Sequence, residues 1–253
     1  IRSIIFDRDL FVSEPVANPM TKLGLKHPYT LTSLTPYQFY HIFQNDESLN
    51  KLAQFKAVLI GGGPISTELE EKIKAFEKWV ETSFYHTYGM TETASHIALR
   101  KIDYSLNINH FTPLPGVEIS KDEEDCMIIT IPDLNVRIET HDMIEIGRKG
   151  FSFIGRKDNI INSGGLKIIP EQIERNLSKA LYEKGISIDF YFKGEEDEAL
   201  GQRCVMMLEE KNRKHITLIE SLLESIIETY QRPKEIKLVE RFKYTRTNKI
   251  IRK

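Results

Sequence analysis

The sequence predicts an α/β fold in two parts, a layered α/β region followed by a smaller α+β region, and three observations carry that prediction. Lys56-Ala57-Val58-Leu59-Ile60 is an apolar run of strand length that meets Gly61-Gly62-Gly63-Pro64 and then a helical pattern. Thr82 to Tyr88 reads as a second strand entering a turn at Gly89, so two strand–turn units follow one another, with a ligand expected at the strand ends. The final stretch of about ninety residues mixes strand and helix patterns and falls in the usual size range of a separate small domain.

Bulk properties bound the class. With 253 residues and 40% hydrophobic content, the chain can build one large core or two modest ones. A net charge of -2 and a pI near 6.4 supply no basic field for nucleic acid or an anionic membrane, so neither partner is expected. No apolar run approaches the roughly 20 residues that cross a bilayer. Cys126 and Cys204 both sit in apolar runs, which predicts buried thiols in a reducing compartment, by default the cytoplasm, rather than a disulfide or a metal site.

In chain order, Ile1 to Phe11 reads as a helix end or an edge strand. Glu14-Pro15-Val16-Ala17-Asn18-Pro19 reads as a connector, because each proline disfavours helix at the residue before it. Leu31 to Leu34 alternates apolar and hydroxyl residues, and Pro36 opens a helix running through Tyr40. Thr67 and Glu70 have capping-box spacing, with Leu69, Ile73, Phe76 and Val80 recurring at helical intervals behind them. Asn107 to Val117 reads as a loop, Cys126 to Ile131 and Asn135 to Glu139 as strands, and Phe151 to Arg156 as an aromatic alternation. Pro170 starts a helix with Ile173, Leu177 and Leu181 on one face. Ile188 to Phe192 and Arg203 to Leu208 are read as strands separated by an acidic loop, Gly194 to Gly201. A last helix is expected over His215 to Tyr230, with Leu218, Leu222 and Ile226 inward and Pro233 beyond its end.

The chemistry concentrates in Phe84-Tyr85-His86-Thr87-Tyr88-Gly89-Met90-Thr91-Glu92-Thr93-Ala94-Ser95-His96. Gly89 lets the backbone turn, Thr91 offers a hydroxyl to a phosphoryl oxygen, and Glu92 offers a hard oxygen ligand to Mg²⁺. By residue type alone the same run is also a strand entering a polar turn, and His96 either faces the pocket or packs on a neighbouring element. The glycines at 61 to 63 admit a flat ring or an anion close to backbone, or simply make the turn. Asp142, in Thr140-His141-Asp142, offers two acceptor oxygens or caps a turn. By residue type alone Arg156-Lys157-Asp158 is also a solvated surface turn with a local ion pair, and the basic tail a solvated segment.

Four ordered segments join the Tyr88-Gly89-Met90-Thr91-Glu92 run: Gly61-Gly62-Gly63-Pro64, Thr140-His141-Asp142, Gly155-Arg156-Lys157-Asp158-Asn159-Ile160-Ile161-Asn162-Ser163-Gly164-Gly165, and Lys249-Ile250-Ile251-Arg252. Together they resemble the motifs of the acyl-adenylate-forming ligases, the superfamily of acyl-CoA synthetases, firefly luciferase and peptide-synthetase adenylation domains. Among its branches they look most like the o-succinylbenzoate-CoA ligases of menaquinone biosynthesis. The resemblance implies that residues 1–155 are the C-terminal part of a large layered α/β adenylate-forming domain and 156–253 a small mobile α+β domain, with its hinge at Asp158. It implies ATP/AMP, Mg²⁺ and coenzyme A as cofactors and a small carboxylic acid as substrate, and leaves homo-oligomerisation open.

By the same resemblance, Gly62, Gly63, Tyr88, Gly89, Thr91, Asp142 and Arg156 bind the nucleotide, Asp142 through the ribose hydroxyls. Thr91, Glu92 and Lys249 are implied as catalytic, with Glu92 on the metal and Lys249 swinging in to the carboxylate and α-phosphate. Gly164 and Gly165 are implied to face the pantetheine arm of CoA. Two residues depart from the family pattern: His141 stands where glycine is usual, which affects the expected turn, and Asn248 replaces the glycine before the lysine, although Asn also adopts left-handed backbone angles. The family's Gly/Ser/Thr-rich phosphate loop would lie upstream of Gly61, and the chain opens at Ile1 without methionine, so the C-terminal portion of a longer enzyme is expected. Two alternatives stand beside a CoA ligase of this acid: another aryl or fatty acid-CoA ligase or carrier-loading adenylation domain, and a non-catalytic nucleotide-binding module.

Overall fold

A computed structural model describes residues 7, 9–24, 29–106, 108–245 and 250–252. The described strands form three sheets, of five, four and five strands.

The first sheet contains β1 (Leu31–Leu34), β2 (Ala57–Ile60), β3 (Ser83–Gly89), β4 (His96–Ile102) and β5 (Thr112–Pro113), adjacent in that order. β1, β2 and β3 are parallel, and β4 returns antiparallel to β3. Parallel neighbours need helical crossovers. These are α1 (Pro36–Ile42) and α2 (Asp46–Leu52) between β1 and β2, and α3 (Thr67–Glu77) between β2 and β3. Proline at the first helical turn, Thr35 as N-cap and the reciprocal Gln38 contact start α1 where the sequence placed it. Phe39, Ile42, Leu52, Leu69 and Ile73 from the helices meet Val58, Ile60 and Phe84 from the strands in one buried cluster.

A meander of β6 (Glu118–Lys121), β7 (Cys126–Ile131), β8 (Val136–Gly147) and β9 (Gly150–Arg156) makes the second sheet, every pair antiparallel. Its Met127, Ile129, Ile144 and Phe151 pack on Ile97, Ala98 and Phe111, which joins it to the first sheet. The third sheet holds β10 (Ile161–Ser163), β11 (Leu166–Ile168), β12 (Phe190–Asp197), β13 (Gly201–Glu209) and β14 (Glu235–Val239). Against it lie α4 (Pro170–Glu183) and α5 (Ile216–Ile226), burying Ile173, Leu177, Leu181, Ile219 and Leu223. Both cysteines are free and buried. Among the described residues, no helix is long and apolar enough to cross a membrane.

Several sequence expectations shift. The cap of α3 is Ser66, whose hydroxyl accepts from Leu69 N at 3.2 Å, so the expected Thr67–Glu70 box does not form, and Glu70 reaches Arg100 on β4 instead. Thr140-His141-Asp142 lies inside β8 rather than after it, at the register shift between β7 and β8, where Thr140 Oγ1 donates to Met127 O and accepts from Asp142 N, and Asp142 takes Arg156 on β9 as its partner. The acidic run is likewise mostly strand. Glu195 in β12 is surrounded by Lys193, Arg203 and Lys237, and only residues 198–200 turn, capped by Asp197 accepting from Ala199 N and Leu200 N. The last helix is shorter than expected, and its buried ridge is Ile219 and Leu223, with Leu218 only half-buried. The reading of Ile1 to Phe11 falls largely outside the described residues, and its described positions 7 and 9–11 belong to no helix or strand.

Candidate functional site

β2 and β3 are parallel neighbours with Ile60 opposite His86, so the loop after Ile60 and the turn after Gly89 leave the same edge of the sheet. That edge is where ligands bind in open α/β sheets. Gly89 is required by contact: a Cβ there would meet Ser95 O at 2.5 Å and His96 Cα at 2.6 Å, both backbone atoms. Thr91–Thr93 form a single 3-10 turn closed by Ala94 in the left-handed region at φ 57°. Thr93 Oγ1 holds the turn, accepting from Met90 N at 3.0 Å and donating to Ser95 O at 2.6 Å. Thr91 and Glu92 therefore project from a braced turn and are exposed. His96 begins β4 and is half-buried.

The second group is a connected polar chain. Asp142 and Arg156 are register partners on β8 and β9, and Arg156 Nη1 donates to Asp142 Oδ1 at 2.8 Å. The other carboxylate oxygen accepts from the Tyr88 hydroxyl. Burial first, then the Asp142 charge, push the Tyr88 phenol well above its ordinary pKa, so it keeps its proton and acts as donor. Its ring is fixed edge-on against Phe151 and Phe111, with centroids at 5.2 and 5.6 Å. Arg156 Nη2 also donates to Asp158 Oδ2 at 2.9 Å, and Asp158 Oδ1 lies 2.7 Å from His141 Nδ1. The Arg156 bond, followed by that of His141, holds the Asp158 carboxyl below its usual range. Tyr88, Asp142, Arg156 and Asp158 thus come together, with His141 added by the structure.

Beneath the Gly61–Pro64 loop lies a network that sequence reasoning did not find. Arg100 on β4 grips Glu70 of α3 with both guanidinium nitrogens, at 2.9 and 2.7 Å. Its Nη2 is 3.4 Å from His86 Nδ1, and His86 Nε2 is 3.4 Å from Gly63 O. Burial and the Arg100 charge lower the His86 pKa to about 4, so the imidazole is neutral. Gly62 takes the left-handed region at φ +82°, and a Cβ on Gly61 would strike Thr87 Oγ1 at 2.3 Å.

Gly164 and Gly165, at φ +58° and +80°, make the tight turn of the β10–β11 hairpin, and Gly164 N donates to Leu200 O at 2.9 Å. Among the described residues, no hydrogen bond or ion pair links that turn directly to the Asp142 chain. Lys249 and Asn248 lie outside the described residues. Beyond them, Ile250 bridges Tyr244 and Arg252 pairs with Glu174 at 2.6 Å on the third sheet's helix. Among the described residues no group of three or more His, Cys, Asp or Glu could hold a metal. A lone carboxylate at Glu92 remains compatible with Mg²⁺, which commonly takes one or two carboxylates and completes its shell with phosphate and water oxygens.

The layered α/β fold is that of the adenylate-forming class. A family model described as AMP-binding enzyme matches residues 8–127. A solved acyl-CoA synthetase (AMP-forming)/AMP-acid ligase II-like protein from Dyadobacter fermentans is 32% identical, with a TM-score of 0.54 over 94% of this chain and 67% of that one. The chain belongs to the AMP-binding enzyme family. The 2-succinylbenzoate–CoA ligase of Geobacillus sp. (strain WCH70) is 25% identical over 285 residues, covering 100% of this chain and 56% of the relative. The o-succinylbenzoate CoA synthetase of Bacillus subtilis, solved with an acyl-adenylate intermediate, shares the fold with a TM-score of 0.70 at 20% identity, covering 89% of this chain and 50% of that one. The chain therefore spans about half the length of these relatives.

Proposed function

We propose that this chain is the adenylate-binding and acyl-transfer portion of an ATP-dependent acid-CoA ligase whose acid is o-succinylbenzoate. The observation that carries the reading is the half-buried Asp142 carboxylate held between the Tyr88 hydroxyl and the Arg156 guanidinium. A carboxylate accepts about four hydrogen bonds, so two acceptor positions stay open for a ribose diol after Tyr88 and Arg156 have fixed its orientation. The acid is taken from the names of the Geobacillus and Bacillus relatives.

The reaction runs in two steps. A carboxylate oxygen of the acid attacks the α-phosphorus of ATP, the bond to pyrophosphate breaks, and an acyl-adenylate forms. The CoA thiolate then attacks the acyl carbon and AMP leaves with its oxygen. Gly62 and Gly63 let the nucleotide approach backbone and the Thr91 hydroxyl donates to a phosphoryl oxygen; Glu92 is the residue that would hold Mg²⁺, which would supply positive charge against the phosphates. Lys249 supplies a second positive charge in the first step. The small C-terminal part then turns about Asp158, whose side chain in this arrangement is tied to Arg156 and His141, and brings Gly164 and Gly165 to the CoA arm. The cytoplasm supplies ATP and CoA and keeps both thiols reduced.

The test is calorimetric titration of the full natural protein with the acyl-sulfamoyl adenosine of o-succinylbenzoate, and again after Asp142→Ala. Tight binding lost in the variant supports both ligase and acid. Binding only of a different acyl analogue keeps the ligase and rejects this acid. Turnover with a carrier-protein thiol in place of CoA would make it a carrier-loading enzyme, and failure to bind any acyl-adenylate analogue would reject the reading.

A further inference from the structure

We propose that His86 is a positioning residue for the nucleotide loop, bridging the Glu70–Arg100 pair to the Gly63 carbonyl and so setting the plane of the Gly63–Pro64 peptide. The proposal rests on the reading that Gly62 and Gly63 receive the nucleotide.

The argument begins with Arg100. Glu70 occupies both terminal nitrogens of the guanidinium, and the Ile108 carbonyl accepts from Nη1 at 3.3 Å, so the group has little freedom to turn. A guanidinium only donates. The His86 Nδ1 facing it must therefore carry the lone pair, which leaves the proton on Nε2, opposite the Gly63 carbonyl. The tautomer is thus dictated by Arg100. Phe111 closes the remaining side, with its ring centroid 5.2 Å from the imidazole and the Arg100 guanidinium 5.8 Å over its face.

The loop has few other constraints. Pro64 contributes no N–H, and Gly62 has the widest backbone freedom of any residue type. At its start Gly61 N donates to Leu34 O at 3.0 Å, and the close approach of Thr87 excludes a side chain on Gly61. At its far end His86 is the side chain hydrogen-bonded to the loop, and beyond Pro64 the chain is anchored by Ile65 on the first core cluster and by the Ser66 cap. Loss of the Nε2 donor would release the Gly63 carbonyl while Glu70 and Arg100 stayed paired.

Two substitutions separate the halves of the imidazole. His86→Gln places an amide nitrogen near the Nε2 position and can still donate to Gly63. His86→Asn places its amide near Nδ1, meeting Arg100 but falling short of the loop. In the full protein, AMP affinity by calorimetry, thermal stability and amide exchange at Gly62, Gly63 and Ile65 are measured for both. The expected result is AMP binding weakened about tenfold in H86N, equivalent to about 1.4 kcal/mol, and restored to within about threefold of the parent in H86Q, at similar melting temperatures. Loop amides should exchange faster in H86N alone. Equal AMP affinity in the two variants, or losses that track melting temperature, would overturn the proposal. If the parent protein binds no AMP, the nucleotide reading fails, and the exchange comparison still decides whether His86 holds the loop.

Discussion

Acidification offers a direct measure of what the buried imidazole contributes. The His86 pKa is lowered to about 4 from an ordinary 6.5, by burial first and then by Arg100. A base with a depressed folded-state pKa binds fewer protons folded than unfolded between those two values, so stability is fully present above about pH 6.5 and is lost as pH falls toward 4. The shift of 6.5 minus about 4, or about 2.5 units, corresponds to about 3 kcal/mol at most, because each unit is worth about 1.4 kcal/mol and part of the ring still meets solvent. Urea denaturation at intervals from pH 7.5 to 4.5 gives the assay, with the H86Q variant as the control that cannot titrate. Glu70 also destabilises the fold in acid. Burial opposes its charge but the Arg100 bonds outweigh that, leaving its pKa below the usual carboxylate value, so its loss comes at lower pH and is common to both proteins. The parent should lose about 2–3 kcal/mol more than H86Q over this range. Parallel pH profiles would refute the placement of a neutral imidazole against Arg100.

Other outcomes follow from the same geometry. Asp142→Asn should cost only about 1 kcal/mol of stability in urea denaturation, because Arg156 is 47% exposed, while nucleotide affinity by calorimetry falls about tenfold or more. Gly89→Ala places a Cβ within 2.5 Å of Ser95 O, and overpacking against backbone should lower stability by about 1–3 kcal/mol in a thermal melt, with no such loss for Thr91→Ala on the exposed turn. Burial pushes the Cys204 thiol up to about 12 and raises that of Cys126, so both should resist a thiol reagent at pH 8 and react fully once urea is added.

What could be read from the sequence was what neighbouring residues dictate. Proline at the first turn marked both α1 and α4, and the apolar run before Gly61 marked β2. α2 escaped because Asp46–Leu52 is short and carries apolar residues only at Leu49 and Leu52. β4 escaped because His96, Arg100 and Lys101 break its hydrophobic pattern, and its position between β3 and β5 decides the matter instead. The resemblance supplied Tyr88, Asp142, Arg156 and Asp158 as individual positions. That Tyr88 and Asp142 share a hydrogen bond across 54 residues depends on how the first two sheets meet. Glu70 and Arg100 lie 30 residues apart on different elements, and nothing local in either stretch signals their pairing.

Strand alternation connects these two polar networks. His86 and Tyr88 are two apart on β3 and so face the same side of the first sheet, where Phe111 packs against both rings. Phe111 is in turn stacked on Phe151 at 5.7 Å and exchanges backbone hydrogen bonds with it at 2.7 and 3.0 Å. Phe151 belongs to β9, the strand that ends in Arg156. Gly63 is therefore reached from one face of Phe111 through His86, and Asp142 through Tyr88 and the end of β9. A displacement of this single aromatic would disturb both sides of the proposed nucleotide site at once, which places the mechanical centre of the site in the packing between the first two sheets rather than in the motif loops.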